Sequence, residues 1–117
     1  MTETQLYTAL AEITLRMEAA PKRADLLLKR AKIYLALKDE AKALDDLDSA
    51  IMLDSSLAEA YFLRGKLYFA LNNKEAAYND LRRAAEIDPL VATSNLSGEF
   101  STDDVSVETR RILRKHI

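Results

Sequence analysis

The chain has 117 residues, which is the size of one domain with a modest hydrophobic core. Its 17 basic and 19 acidic residues nearly cancel, so the composition does not favour a polyanionic partner, and the absence of cysteine excludes disulfides and thiolate metal sites. The first ten residues lack the basic and apolar regions of a secretion signal, and no apolar run reaches the ~18 residues of a membrane span. We therefore expect a soluble, cytoplasmic protein with no membrane contact.

The first predicted element is an N-terminal helix over residues 3–20. Its apolar residues recur at helical spacing: Leu6, Leu10, Ile13 and Met17. Pro21 ends the run. In the register of the repeat that follows, this helix falls where the second helix of a preceding pair would lie, although Arg16 stands where the repeat has alanine. The pattern predicts a capping helix.

Two segments, residues 24–57 and 58–89, share one pattern when residue 58 is aligned on residue 24, and the alignment needs no gap. A fixed repeat of this length with helical periodicity is typical of stacked helix pairs, in which neither pair buries its apolar face alone. Each segment is predicted to form one antiparallel pair, joined by a two-residue link. In those links Asp39 and Asn73 are expected N-caps, and Asn72 is expected in the left-handed conformation.

The shared positions resemble the signature of the tetratricopeptide repeat family. In the second repeat these positions hold Tyr61, Gly65, Tyr68, Ala77, Leu81, Ala84 and Pro89, and the first repeat has Ala31, Tyr34, Ala43, Leu47 and Ala50 at the equivalent places. The first repeat departs from the signature at Leu27, where an aromatic residue is usual, and at Ser55, where proline is usual. The resemblance implies an all-α fold, a right-handed solenoid of antiparallel helix pairs with N- and C-terminal capping helices. It also implies a function in binding other proteins.

The repeat pattern ends after Pro89. Residues 90–101 are rich in Ser, Thr, Asn and Gly and are predicted to form a loop, followed by a C-terminal helix over residues 102–116. A helix of that length is marginal alone, so it needs a surface. It is expected to pack as a cap on the outer side of the second pair, with the concave groove as the alternative.

By the resemblance, the first helix of each pair lines a concave groove that accepts a peptide or a helix of a partner protein. The candidate groove residues are Asp25, Leu28, Lys32 and Leu35 from the first repeat and Glu59, Phe62, Lys66 and Phe69 from the second. The family's groove for a chaperone's C-terminal carboxylate uses Lys and Asn at the positions of Leu28 and Lys32, and Asn at the position of Leu63. Those departures argue against the same ligand here.

Two arginines, Arg30 and Arg64, recur at matching positions, so a shared role is expected. We predict that each packs its stem between helices and that its guanidinium reaches a carboxylate or a carbonyl. The charged residues of the second helices, among them Asp45, Asp46 and Asp80, are predicted to face water.

The sequence contains few of the residues and motifs on which catalysis usually depends. There is one histidine, His116, and there is no glycine-rich phosphate loop and no His-containing metal spacing. We therefore predict no catalytic residue, no metal and no cofactor.

Three functional hypotheses remain. The first is an adaptor that binds a peptide or helix of another protein, and the second is a structural module that self-associates into a homo-oligomer through its exposed helical ends. The third, nucleic-acid contact through Arg110, Arg111, Arg114 and Lys115, ranks last because the surrounding charges are balanced.

Overall fold

The computed structural model describes residues 1–94 of the chain. The chain forms two compact units, of which the first is Met1–Ser55 and the second begins at Ser56. Residues 1–94 contain helices and no strand, which confirms the predicted all-α fold class. The helix predicted over residues 102–116, the basic residues within it and most of the predicted loop lie outside the described residues.

The first unit contains three helices: α1 (Glu3–Ala19), α2 (Ala24–Ala36) and α3 (Glu40–Leu53). Helix α1 begins with a capping box, in which the Thr2 side chain accepts a hydrogen bond from the Gln5 amide and the Gln5 side chain accepts one from the Thr2 amide. Helix α2 packs against both α1 and α3. It therefore buries several faces at once, as its apolar sequence requires.

The second unit repeats the pair, with α4 (Ala58–Ala70) and α5 (Lys74–Ile87) in place of α2 and α3. Helix α4 packs along α5, and a short helix, α6 (Val91–Ser94), contacts both. The fully buried side chains of the two units include the small and branched residues of the repeat: Ala31, Ala43, Leu47, Ala50, Ala77 and Ala84.

Identical turns join the helices of each pair. After α2, the Lys38 amide donates to the Leu35 carbonyl and the Asp39 amide donates to the Tyr34 carbonyl, which is the Schellman pattern of a helix C-terminus. Lys38 has a φ of 62°, and Asn72 has the same φ in the second unit. The prediction for Asn72 is confirmed. The same conformation at Lys38 was not predicted, because lysine rarely adopts it, although the repeat aligns Lys38 with Asn72.

The predicted N-caps of the second helices are also confirmed. The Asp39 side chain accepts a hydrogen bond from the Lys42 amide, and the Asn73 side chain accepts one from the Ala76 amide. Each link therefore ends one helix and starts the next within two residues. Arg30 contacts Asp46, and Tyr34, one turn later in α2, contacts Lys42, one turn earlier in α3, so these two helices run antiparallel.

Helix α6 lies at the start of the stretch predicted to be a loop. The Leu90 amide donates to an Asp88 carboxylate oxygen and the Val91 amide donates to the Asp88 carbonyl, which turns the chain at Pro89. Val91 and Ala92 are buried, and they lie one repeat period after Leu57 and Ala58, where α4 begins. The helical register thus extends beyond Pro89, even though the signature residues do not.

Candidate functional site

The predicted groove residues lie on α2 and α4, and each set is described within its own unit. Equivalent positions have similar exposure: Leu28 and Phe62 are buried, whereas Lys32, Leu35, Lys66 and Phe69 are half-buried. Asp25 is exposed, and Glu59 at the matching position is half-buried. The repeat therefore presents the same accessible feature twice, a lysine followed three residues later by a large apolar side chain.

The expectation that Phe62 lines a solvent-accessible surface is wrong. Its side chain is only 3% exposed. The physical reason is that α4, like α2, is apolar on nearly every side and packs against two other helices, and the Lys66 ammonium also lies 5.9 Å from the centre of the Phe62 ring. Phe62 thus belongs to the core and is not a candidate for direct partner contact.

Phe69 remains available. Its ring packs against Tyr78 of α5, with centroids 6.4 Å apart and planes at 59°, while part of the side chain stays accessible. Such a tilted aromatic pair holds the ring in place without burying it. An accessible and rigid ring is a favourable contact for an apolar side chain of a partner, because little conformational entropy is lost on binding.

At the start of α2, the Asp25 carboxylate is hydrogen-bonded to a neighbouring side chain. The Arg23 guanidinium donates two hydrogen bonds to its carboxylate, one of them 3.0 Å long from Nε. This hydrogen bonding holds the pKa of the Asp25 carboxyl below its ordinary value and raises the pKa of Arg23. The pair is exposed, so it contributes little to stability.

The recurring arginines form matched ion pairs within each unit. Arg30 donates from Nε and Nη2 to the two carboxylate oxygens of Asp46 at 2.7 Å each, and Arg64 makes the same two bonds to Asp80 at 2.7 and 2.8 Å. The prediction that these guanidinium groups reach a carboxylate is confirmed. The hydrogen bond to Asp46 raises the pKa of Arg30 further above its ordinary value.

The acidic partners of the two arginines are less exposed than the sequence predicts. The sequence predicts that Asp46 and Asp80 face water, but they are 5% and 6% exposed. A carboxylate is buried at this level only when it is paired, and the planar guanidinium supplies the pairing. A clue lay in the sequence, since arginine and aspartate are separated by 16 positions in both pairs. That separation has no meaning until the link between the helices is known.

Aromatic rings lie beside the arginines of both pairs, two at Arg64 and one at Arg30. The Arg64 guanidinium carbon lies 5.7 Å from the Tyr61 ring centre and 5.8 Å from that of Tyr68, and Arg30 lies 5.7 Å from Tyr34. These are cation–π distances. The recurring tyrosines, Tyr34 and Tyr68, thus each contact the arginine of the ion pair in their own unit.

Two further classes of site are not found in the described part of the chain. No group of three or more His, Cys, Asp or Glu side chains within residues 1–94 is arranged to hold a metal ion. Over the same residues, no helix is long and apolar enough to cross a membrane.

The sequence profile described as tetratricopeptide repeat matches residues 24–57 and 58–89, which are the two helix pairs α2–α3 and α4–α5. The chain belongs to the tetratricopeptide repeat family. No curated protein matches it.

Solved structures of the family resemble it in fold. The first tetratricopeptide repeat domain of Spaghetti (RPAP3), bound to the HSP90 peptide SRMEEVD, is 30% identical, with a TM-score of 0.73 over 97% of this chain and 82% of that one. A tetratricopeptide repeat protein from Parabacteroides merdae is 26% identical, with a TM-score of 0.70 over 97% of this chain and 40% of its own. MamA, at 23% identity and a TM-score of 0.73 over 97% of this chain and 69% of its own, shares the fold.

Proposed function

We propose that this tetratricopeptide repeat protein is an adaptor that binds a short segment, a peptide or a helix, of another protein. The observation that carries the proposal is that a repeat domain 30% identical over nearly the whole chain has been solved with a peptide bound. We also propose that it works in the cytoplasm, because the lack of cysteine fits a reducing compartment.

The accessible residues of the first helices support a particular ligand chemistry. Leu35 and Phe69 offer apolar contacts, and Lys32 and Lys66 lie one helical turn before them. A segment with alternating apolar and carboxylate side chains matches this pattern. The ligand differs from the HSP90 peptide in its anchoring, because Leu28 and Leu63 are buried apolar residues at positions where the family's carboxylate clamp has polar ones.

A peptide selected from a displayed proteome library against the immobilised protein tests the proposal. Calorimetry then compares Phe69→Ala, Lys66→Ala and a matched control, Leu71→Ala, which removes an apolar side chain that is 53% exposed at the end of α4. We expect Phe69→Ala to weaken binding more than Lys66→Ala, because a buried ring contributes ~1.5–3 kcal/mol and an exposed lysine pair less than ~1 kcal/mol. Failure to select any peptide, or equal losses for Phe69→Ala and Leu71→Ala, would contradict it.

Self-association is a second candidate function, favoured by one observation. Tyr7 and Leu15 on α1 are 56% and 65% exposed, and they lie two turns apart on one side of the helix. Sedimentation at two protein concentrations tests this function. A concentration-dependent mass that Leu15→Glu abolishes supports it, and a constant monomer mass excludes it.

A further inference from the structure

A cavity of about 300 Å³ opens between α1 and α2 of the first unit. Its apolar lining comes from both helices and from the first residue of the chain: Ala9, Ile13, Ile33 and Met1. The volume is at the lower end of ligand-binding pockets and has room for a few side chains of a partner. Apart from Lys32, its lining residues are not among the site residues predicted from the sequence, because the sequence argument assigns α1 only a capping role.

The cavity lies beside residues of α1 whose equivalents in α3 and α5 are buried against a neighbouring helix. Ala9, Ile13 and Arg16 precede Ala43, Leu47 and Ala50 by one repeat period, and the same step leads on to Ala77, Leu81 and Ala84. Those six later residues are buried, in helices that each pack against the first helix of their own pair. Helix α1 thus carries core-type residues beside the cavity, of which Ile13 is buried and Ala9 is half-buried.

Because of Arg16, the lining of the cavity is not uniformly apolar, as the core of a repeat would be. Its equivalents, Ala50 and Ala84, are fully buried, whereas Arg16 is exposed and lines the cavity. A charged side chain at the edge of an apolar cavity is compatible with an occupant that carries the opposite charge, and incompatible with a fully apolar one.

The charges around the cavity favour one sign. Arg16, Lys29 and Lys32 line it from both helices, and Glu12 is the one acidic side chain among the lining residues. Lys32 also takes part in another interaction, but Arg16 and Lys29 alone outnumber Glu12, so the lining attracts an acidic segment and repels a basic one.

We propose that this cavity binds an acidic amphipathic helix of another protein, which takes the place of a first helix on α1. The inference rests on the proposed function, since it concerns a segment of a partner protein, but it assigns that segment to a different surface from Leu35 and Phe69. The apolar stripe of the helix packs on the half-buried Ala9 and Ile33, next to the buried Ile13. Its flanking carboxylates face Arg16, Lys29 and Lys32.

The probe is a synthetic peptide of about 16 residues, long enough to form a helix, with leucine and alanine on one helical face, glutamate on the other and both ends blocked. Two control peptides are a scrambled order of the same residues and a version with lysine for glutamate. We expect saturable binding of the probe, with the largest amide shifts in NMR spectra at Ala9, Arg16, Lys29 and Ile33. Neither control should bind.

Matched variants of the full chain locate the site. Arg16→Glu with Lys29→Glu should weaken the probe by about tenfold, whereas Lys22→Glu with Arg82→Glu, which changes the net charge equally at residues that do not line the cavity, should leave affinity within about twofold. Ala9→Leu should block binding by filling the cavity, and an unchanged melting temperature would show that this variant is folded.

Several results would overturn the inference. Equal binding of the lysine peptide refutes the charge argument, and probe shifts confined to α4 near Phe69 refute the site while leaving the proposed function intact. Self-association that Arg16→Glu abolishes makes the occupant a second copy of this chain. If the probe does not bind while a display-selected peptide does, the proposed function holds and this inference fails.

Discussion

Arg64 and Asp80 join α4 to α5 through two parallel hydrogen bonds of 2.7 and 2.8 Å, and Arg30 and Asp46 join α2 to α3 in the same way. Each ion pair spans one two-residue link, so it fixes how the two helices are aligned along their axes. A shift of one helix by a single turn, about 5.4 Å, would break both bonds. We therefore expect each pair to contribute to the alignment of its two helices, together with the apolar packing between them.

We expect Asp80→Leu to lower the free energy of unfolding by about 1.5–3 kcal/mol, because it leaves the Arg64 guanidinium without its charged partner. The value lies below that for a fully buried pair, since the Arg64 side chain is 20% exposed. Urea unfolding followed by circular dichroism measures the change.

The double variant Arg64→Leu with Asp80→Leu tests whether the stability lost in Asp80→Leu is lost because the Arg64 charge no longer has Asp80 as its partner. It should be more stable than Asp80→Leu alone, because two apolar residues need no pairing. Asp45→Asn is the control, since it changes an aspartate outside the ion pairs and should cost less than about 0.5 kcal/mol. A double variant that is less stable than Asp80→Leu would contradict this account.

The sequence was sufficient to predict the fold, because its repeat period indicates the lengths of the helices, the links between them and their apolar faces. Burial of Asp46 could not be read from it, since aspartate in a helix usually faces water and only the partner arginine reverses that preference. Phe62 shows the same limit, because a fully apolar helix does not reveal which side stays accessible. The cavity beside Ala9 was not predicted either, because α1 was expected only to cap the repeats, although the repeat register places Ala9 and Ile13 at core positions.

The Arg23–Asp25 pair predicts a specific pH response. The pKa of the Asp25 carboxyl is lowered in the folded protein, so the contribution of the pair is present above the ordinary pKa of aspartate and is lost as the pH falls through the folded value. Carbon-detected NMR titration should show Asp25 titrating at lower pH in the unchanged protein than in Arg23→Gln. In that variant Asp25 should return toward its ordinary range, and an unchanged titration would show that another group causes the shift.

A substitution at Lys38 is expected to stabilise the protein. Its φ of 62° places a side chain in the left-handed region, which costs a non-glycine residue about 1 kcal/mol. Lys38→Gly should therefore raise the free energy of unfolding by about 0.5–1 kcal/mol, although the greater freedom of glycine in the unfolded chain offsets part of the gain. Lys38→Ala keeps the strain and should give no gain. Asn72→Gly should gain less, since asparagine tolerates this conformation, and urea unfolding that shows an equal effect for all three variants would refute the argument.

Helices α4 and α5 approach each other closely at Gly65, where an added Cβ would lie 3.0 Å from Leu81 Cγ and 3.2 Å from the Ala77 carbonyl oxygen. We expect Gly65→Leu to cost ~1–3 kcal/mol or more, because a branched side chain must push the helices apart or adopt a strained rotamer.

Gly65→Ala is the matched comparison and should have a much smaller effect. The first unit has Ala31, fully buried, at the equivalent position, and alanine favours a helix over glycine by up to ~1 kcal/mol, which offsets the tight contact. Thermal unfolding should therefore rank Gly65→Leu well below Gly65→Ala and the unchanged protein. Equal melting temperatures for the two variants would show that α4 and α5 do not approach each other at this residue.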